Sequence, residues 1–191
     1  MTASHGFAHY EVSNYARDQV AISRHNFGYW RGLDYIGVGP GAHGRLYDFE
    51  QEERIRTYGE FHPNTWMAQC EEAGHGIRNI KVMTRQEMIE EIIVFGLRTR
   101  MGVPQARFST YSDNDKHLKE YLDPAILLSF ISAGFLEWHN PEPGRQSFDR
   151  STAPYVMTEI AQEFTLEGGL RPTEKGLAVA DELLPRLLRT V

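Results

Sequence analysis

A single cysteine, Cys70, stands among 191 residues. That scarcity excludes an internal disulfide, a CxxC redox pair and a cysteine-ligated cluster built within one chain, and it leaves Cys70 to serve as a small buried hydrophobe. No apolar run is long enough to cross a bilayer. The first residues, Met1 to Gly6, have neither the basic start nor the apolar stretch of a secretory signal, so a cytoplasmic location without a membrane span is expected. Positive charge is in deficit, with 20 Lys and Arg against 26 Asp and Glu and a formal net charge of −6. Such a balance argues against a general nucleic-acid surface. The eight histidines are scattered, without an HExxH or another paired metal spacing. Ser13, His25 and Asp34 lie close in sequence, but there is no GxSxG elbow to activate a serine. Glu52–Glu53, Glu71–Glu72 and Glu90–Glu91 are adjacent pairs, which point in different directions on a helix and read as solvated surface.

What is present suffices for a real core: 41% of residues are hydrophobic and 24% charged, enough for one domain or two small ones. Up to about residue 62 the chain is dense in Gly, Tyr, Arg and His, with strand-length apolar runs at 8–12, 34–38, 45–47 and 53–57. Asn64 is suited to cap a short helix to about Ala73, ended by Gly74 and Gly76. Thr84 followed by Glu87 is a capping box, and Met88, Ile89, Ile92, Ile93 and Leu97 recur at helical spacing after it. Asp123–Pro124 places a capping acid before a proline at the first helical position, and Gly134 closes that helix. Phe135 to Trp138 reads as a strand. From Thr173, Leu177, Ala180, Leu184 and Leu187 share one face of a final helix.

Three segments carry a family resemblance: 10–16 (YEVSNYA), 23–30 (SRHNFGYW) and 34–43 (DYIGVGPGAH). In order and spacing they resemble the segments that close the catalytic barrel of oxygen-independent coproporphyrinogen oxidase-like radical-SAM proteins, nearest the haem-chaperone branch. Segments 96–103 (GLRTRMGV) and 170–177 (LRPTEKGL) resemble that family's C-terminal domain. The resemblance implies an α+β chain: the C-terminal strands of an incomplete α/β (TIM-like) barrel, followed by a mostly helical winged-helix-like domain. Residues 1–62 would be the barrel remnant, 63–83 a connector and 84–191 the winged-helix-like domain, with a long wing insertion at about 139–168 and one helical turn near Tyr155 to Phe164. The family's CxxxCxxC loop, which holds a four-iron four-sulfur cluster beside S-adenosylmethionine, has no counterpart here. A truncation is the expectation, the alternative being a separate chain that completes the barrel; either way no catalysis by this chain alone is expected, and a free fragment would self-associate through an exposed barrel edge.

By the same resemblance, His25 to Tyr29 forms the HNxxY pattern associated with haem. Imidazole and phenolate both ligate haem iron, and Arg24 and Arg31 lie nearby for propionates. A second reading stays open, in which Arg24, His25 and Asn26 pin a loop while Tyr29 and Trp30 pack beneath the barrel. The turn containing Gly37, Gly39, Gly41 and Ala42 follows a strand-like run, so its backbone is suited to approach a ligand, S-adenosylmethionine by the resemblance; it is equally suited to be a tight turn. Glu11, Ser13 and Asn14 follow a strand and serve either ligand contact or loop hydrogen bonding. The expected function is a haem chaperone that delivers haem to haem-requiring apoproteins. The alternatives are the oxidase, which oxidatively decarboxylates coproporphyrinogen III to protoporphyrinogen IX, and a stand-alone interaction or DNA-binding module. For DNA, the helix from Pro124 to Gly134 would need Arg, Lys, Asn or Gln, and it has none.

Overall fold

A computed structural model describes residues 3–18, 20–112, 116–140, 164 and 167–188. Most of the wing insertion, including the turn expected near Tyr155, lies outside them. The chain opens with a short antiparallel hairpin, β1 (Ala8–Glu11) and β2 (Asn14–Ala16). Helix α1 (Arg24–Trp30) follows. A three-stranded antiparallel sheet then forms in the order β3 (His43–Asp48), β4 (Glu53–Gly59) and β5 (Ile77–Val82). Helix α2 (Pro63–Ala73) connects β4 to β5.

The second half begins with α3 (Arg85–Gly96), β6 (Val103–Pro104) and α4 (Gln105–Ser109). Helix α5 (Pro124–Ser132) precedes β7 (Leu136–His139). Strand β8 (Gly169–Pro172), α6 (Glu174–Leu177) and α7 (Ala180–Leu187) complete it. The second sheet has the order β6-β8-β7 and is antiparallel throughout. His139 pairs with Gly169, so the ends of the insertion meet across one ladder rung.

Several helix boundaries follow the capping chemistry. Thr84 Oγ1 accepts from the Glu87 amide at 3.2 Å while Glu87 Oε2 accepts from the Thr84 amide at 2.9 Å. Asp123 Oδ1 accepts from the Ala125 and Ile126 amides, each at 2.9 Å. For α2 the cap is His62 and Pro63 opens the helix, one step before the expected Asn64, because a proline needs no amide partner in the first turn. The final helix is two pieces. Val179, at φ −127° and ψ 24°, breaks it between α6 and α7.

The main core forms where α3, α5, α7 and the second sheet converge, around Ile89, Ile93, Leu97, Leu127, Leu170 and Leu184. Each such side chain contributes about 1.5–3 kcal/mol on burial. A smaller cluster joins Tyr10, Ala16, Ile22, Phe27, Met101 and Phe164. Cys70 is in neither; it is half-buried on α2, a helix without buried residues, and so is not a core hydrophobe.

Three other expectations need correction. Residues 34–38 do not form a strand; they make one bridge, Tyr35 with Arg45. The segment expected as a connector contains β5, which completes the first sheet. Glu91 is buried rather than solvated: its carboxylate receives Arg45 Nε at 3.0 Å and Arg56 Nη2 at 2.9 Å. This triad fastens the β3–β4 face to α3. Every strand pairing among the described residues is antiparallel, so no parallel barrel pair is present among them.

Candidate functional site

Helix α1 carries the HNxxY residues, and its position is fixed at both ends by the segment around Tyr10. Ser23 caps the helix through Oγ, 3.4 Å from the Asn26 amide. The Ser23 amide in turn donates to Tyr10 Oη at 3.2 Å. Burial raises the Tyr10 phenol above its ordinary pKa, opposed by that backbone hydrogen bond. At the other end, Trp30 Nε1 donates to Glu11 Oε2 at 3.1 Å. The same buried carboxylate accepts from the Ser13 amide at 3.2 Å and from Asn14 Nδ2. Glu11, Ser13 and Asn14 therefore perform loop hydrogen bonding and clamp the helix.

The clamp is continuous with the second half of the chain. The Val12 amide donates to Arg98 O at 3.0 Å and the Arg100 amide to Tyr10 O at 2.9 Å. Phe95 meets the Trp30 ring edge-on, with centroids 5.8 Å apart. Segments 10–16, 23–30 and 96–103, separate in sequence, are thus one unit in space.

Helix α1 ends in a Schellman motif. The Leu33 amide donates to Gly28 O at 3.0 Å and the Gly32 amide to Tyr29 O at 2.8 Å, with Gly32 at φ +63°. Arg54 Nη2 donates to Gly32 O at 2.6 Å and Arg107 Nη2 to Arg31 O. Two guanidiniums at a helix carbonyl end match the negative pole of its dipole.

His25 and Tyr29, one turn apart, are brought together: Tyr29 Oη lies 2.7 Å from His25 Nε2. The Tyr29 ring also meets the Tyr35 ring edge-on at 4.5 Å. Burial raises the Tyr35 phenol, with the Arg45 charge opposing. His25 and Arg24 are exposed, while Asn26 and Tyr29 are half-buried. Neither reading of HNxxY holds whole: Trp30 packs inward against Glu11 and Phe95, whereas the His25–Tyr29 pair faces outward. A nitrogen and a phenolic oxygen on one accessible helix face fit a haem iron by donor chemistry. One cysteine does not fit a four-iron cluster.

The glycine turn is a separate structure. The Gly41 amide donates to Glu60 O at 2.8 Å, the Ala42 amide to Gly39 O at 3.2 Å, and Ala42 O accepts from the Gly59 amide at 2.7 Å. Gly39 has φ +112° and Gly41 φ +69°, which favour glycine. A Cβ on Gly37 would collide with the His43 backbone. The amides of Gly41 and Ala42 are thereby spent within the protein, as in a tight turn.

A cleft that the sequence did not point to lies between the inner face of α1 and α3. It encloses about 30 Å³ and is lined by Phe27, Trp30, Ile92, Phe95 and Met101, with Arg31, Arg54, Arg107 and Glu91 also on its wall. Its α1 wall is Phe27 and Trp30, without His25 or Tyr29. Among the described residues no cluster of three or more His, Cys, Asp or Glu is placed to hold a metal ion, and no helix is long and apolar enough to cross a membrane.

No family model matches the chain. Radical S-adenosyl methionine domain-containing protein 1, mitochondrial, of Danio rerio is 40% identical over 189 residues, covering 96% of this chain and 35% of that protein. Heme chaperone HemW of Bacillus subtilis is 31% identical over 139 residues, covering 73% of this chain and 34% of that protein. The chain is homologous to these radical-SAM proteins. It spans about a third of the length of the curated relatives it matches. The solved coproporphyrinogen III oxidase HemN of Escherichia coli, described as a radical SAM enzyme, shares the fold over 96% of this chain and 32% of its own, with a TM-score of 0.51 at 13% identity. HemN is thus a likeness of fold, whereas the HemW-type proteins are relatives in sequence.

Proposed function

We propose that this chain is a haem-handling part of a HemW-type protein: the outward face of α1 receives haem through His25 and Tyr29, and the haem then passes to haem-requiring apoproteins. The observation that carries the reading is the His25–Tyr29 pair, which presents two iron-ligating side chains on an accessible face whose helix is clamped at both ends. The Bacillus subtilis relative, a heme chaperone, points the same way. Arg24, exposed at the first position of α1, is available to a haem propionate. The chain is not catalytic by itself, and haem is its cargo.

On this reading residues 84–191 form a winged-helix-like domain. The β6-β8-β7 order, with α3, α4 and α5 before β7, supports it. The domain serves as a docking module, with residues 1–62 belonging to the barrel side. Ile36 and Val38, exposed beside the single Tyr35–Arg45 bridge, support self-association along that edge.

The test is delivery. Haem-loaded chain is mixed with an apo-globin as a stand-in acceptor, and the acceptor's Soret band is followed over time. Transfer faster than from haem bound to serum albumin supports the chaperone reading; a chain that takes up no haem, or never releases it, defeats it.

A further inference from the structure

In a Schellman motif a hydrophobic side chain two positions past the cap commonly packs on a side chain in the last helical turn. In α1 the first of these is Leu33 and the second position is Gly28, which offers no side chain. A Cβ built on Gly28 would lie 3.6 Å from Leu33 Cδ1, so Leu33 sits beside the bare backbone at Gly28. It remains 55% exposed. His25, Gly28 and Tyr29 stand at i, i+3 and i+4 and share one helix face. Leu33 borders that face, and Tyr35 meets Tyr29 edge-on within the same group.

The geometry points to a porphyrin platform: with no side chain at Gly28, Leu33 lies close against the helix backbone, and its exposed side supplies an apolar wall for the macrocycle of a planar tetrapyrrole. This rests on the haem-handling reading and adds to it residues outside the His25–Tyr29 donor pair. A large flat apolar ring needs contact area as well as an axial ligand, and a side chain at position 28 would hold it off the helix. Loss of the donors and loss of the platform therefore have different signatures. The donors act on iron alone, whereas the platform acts on the ring with or without iron.

The experiment titrates the chain with haem and, separately, with metal-free protoporphyrin IX, following absorbance and porphyrin fluorescence. Leu33→Asp is expected to weaken both by about tenfold or more, from lost apolar burial. His25→Ala and Tyr29→Phe are expected to weaken haem alone. Gly28→Leu gives a further check, because it restores the usual Schellman contact while covering the platform. It should raise the melting temperature and lower affinity for both tetrapyrroles, a combination that misfolding cannot produce. Wild-type affinity for both ligands in Leu33→Asp and Gly28→Leu would overturn the platform while leaving haem handling intact. The same holds if the wild type binds haem but no metal-free porphyrin. Binding of neither ligand by the wild type would overturn both readings.

Discussion

Trp30 Nε1 donates to Glu11 Oε2 at 3.1 Å, and Glu11 is only 1% exposed. A buried carboxylate is costly unless its oxygens are occupied, and here the Ser13 amide and Asn14 Nδ2 occupy them too. The contact links the hairpin to the end of α1 and so fixes the direction of the His25–Tyr29 face. Glu11→Ala leaves these donors without their acceptor and should cost about 3 kcal/mol in urea unfolding. Glu11→Gln, which keeps one acceptor, should cost less. Equal stability of wild type and Glu11→Ala would show that the clamp is not formed in solution.

Glu91 ties two arginines of the first sheet to α3. Removing one partner of a buried ionic group leaves the rest uncompensated, so Glu91→Ala should lose about 3 kcal/mol. The triple variant Glu91→Leu, Arg45→Leu, Arg56→Leu should recover most of that loss, because no unpaired charge then remains buried. Chemical denaturation of the two variants beside wild type checks both statements.

Glu87 gives a pH dependence. The hydrogen bond from Lys81 first, then that from the Thr84 amide, lower its carboxyl from 4.5 to about 2. The folded pKa is depressed, so the contribution of the capping box is fully present above the unfolded pKa. It fades as pH falls from about 4.5 towards about 2. Glu87→Gln should melt below wild type at neutral pH, and the two curves should converge near the acid end of that window. A gap in melting temperature that is independent of pH would contradict the assignment.

His117 titrates in the other part of the range. Burial lowers its pKa from 6.5, with the Lys119 charge acting the same way. Its Nδ1, 3.3 Å from the Lys119 amide, accepts only when unprotonated. Stability from this cap is therefore complete above pH 6.5 and declines as pH falls below it. Proton NMR of the His117 ring should give a midpoint below that of a free histidine.

Much of the second half was legible in the sequence because its signals are local. The Thr84–Glu87 box, the Asp123–Pro124 start and the apolar face of Ala180, Leu184 and Leu187 each lie within a few turns, whereas the break at Val179 that puts Leu177 on a separate helix carries no such signal. The first sheet was less legible. Strand β5 is exposed along Arg78 to Val82, so no alternation of buried and solvated residues marks it. Glu91 looked solvated because its partners, Arg45 and Arg56, are more than thirty positions away. At the site, the HNxxY spacing gave the helical neighbours His25 and Tyr29. The clamp from Tyr10 and Glu11 and the exposed wall at Leu33 depend on tertiary contact and on the absence of a side chain at Gly28.

The central claim is that the outward face of α1 holds haem iron through His25 and Tyr29. The direct measurement is a visible-absorbance titration of the chain with haem beside His25→Ala, Tyr29→Phe and the double variant. The account predicts a saturable one-to-one Soret change in wild type, altered in position or strength by each single substitution and abolished by the double. A double variant that binds haem with the wild-type spectrum would contradict it.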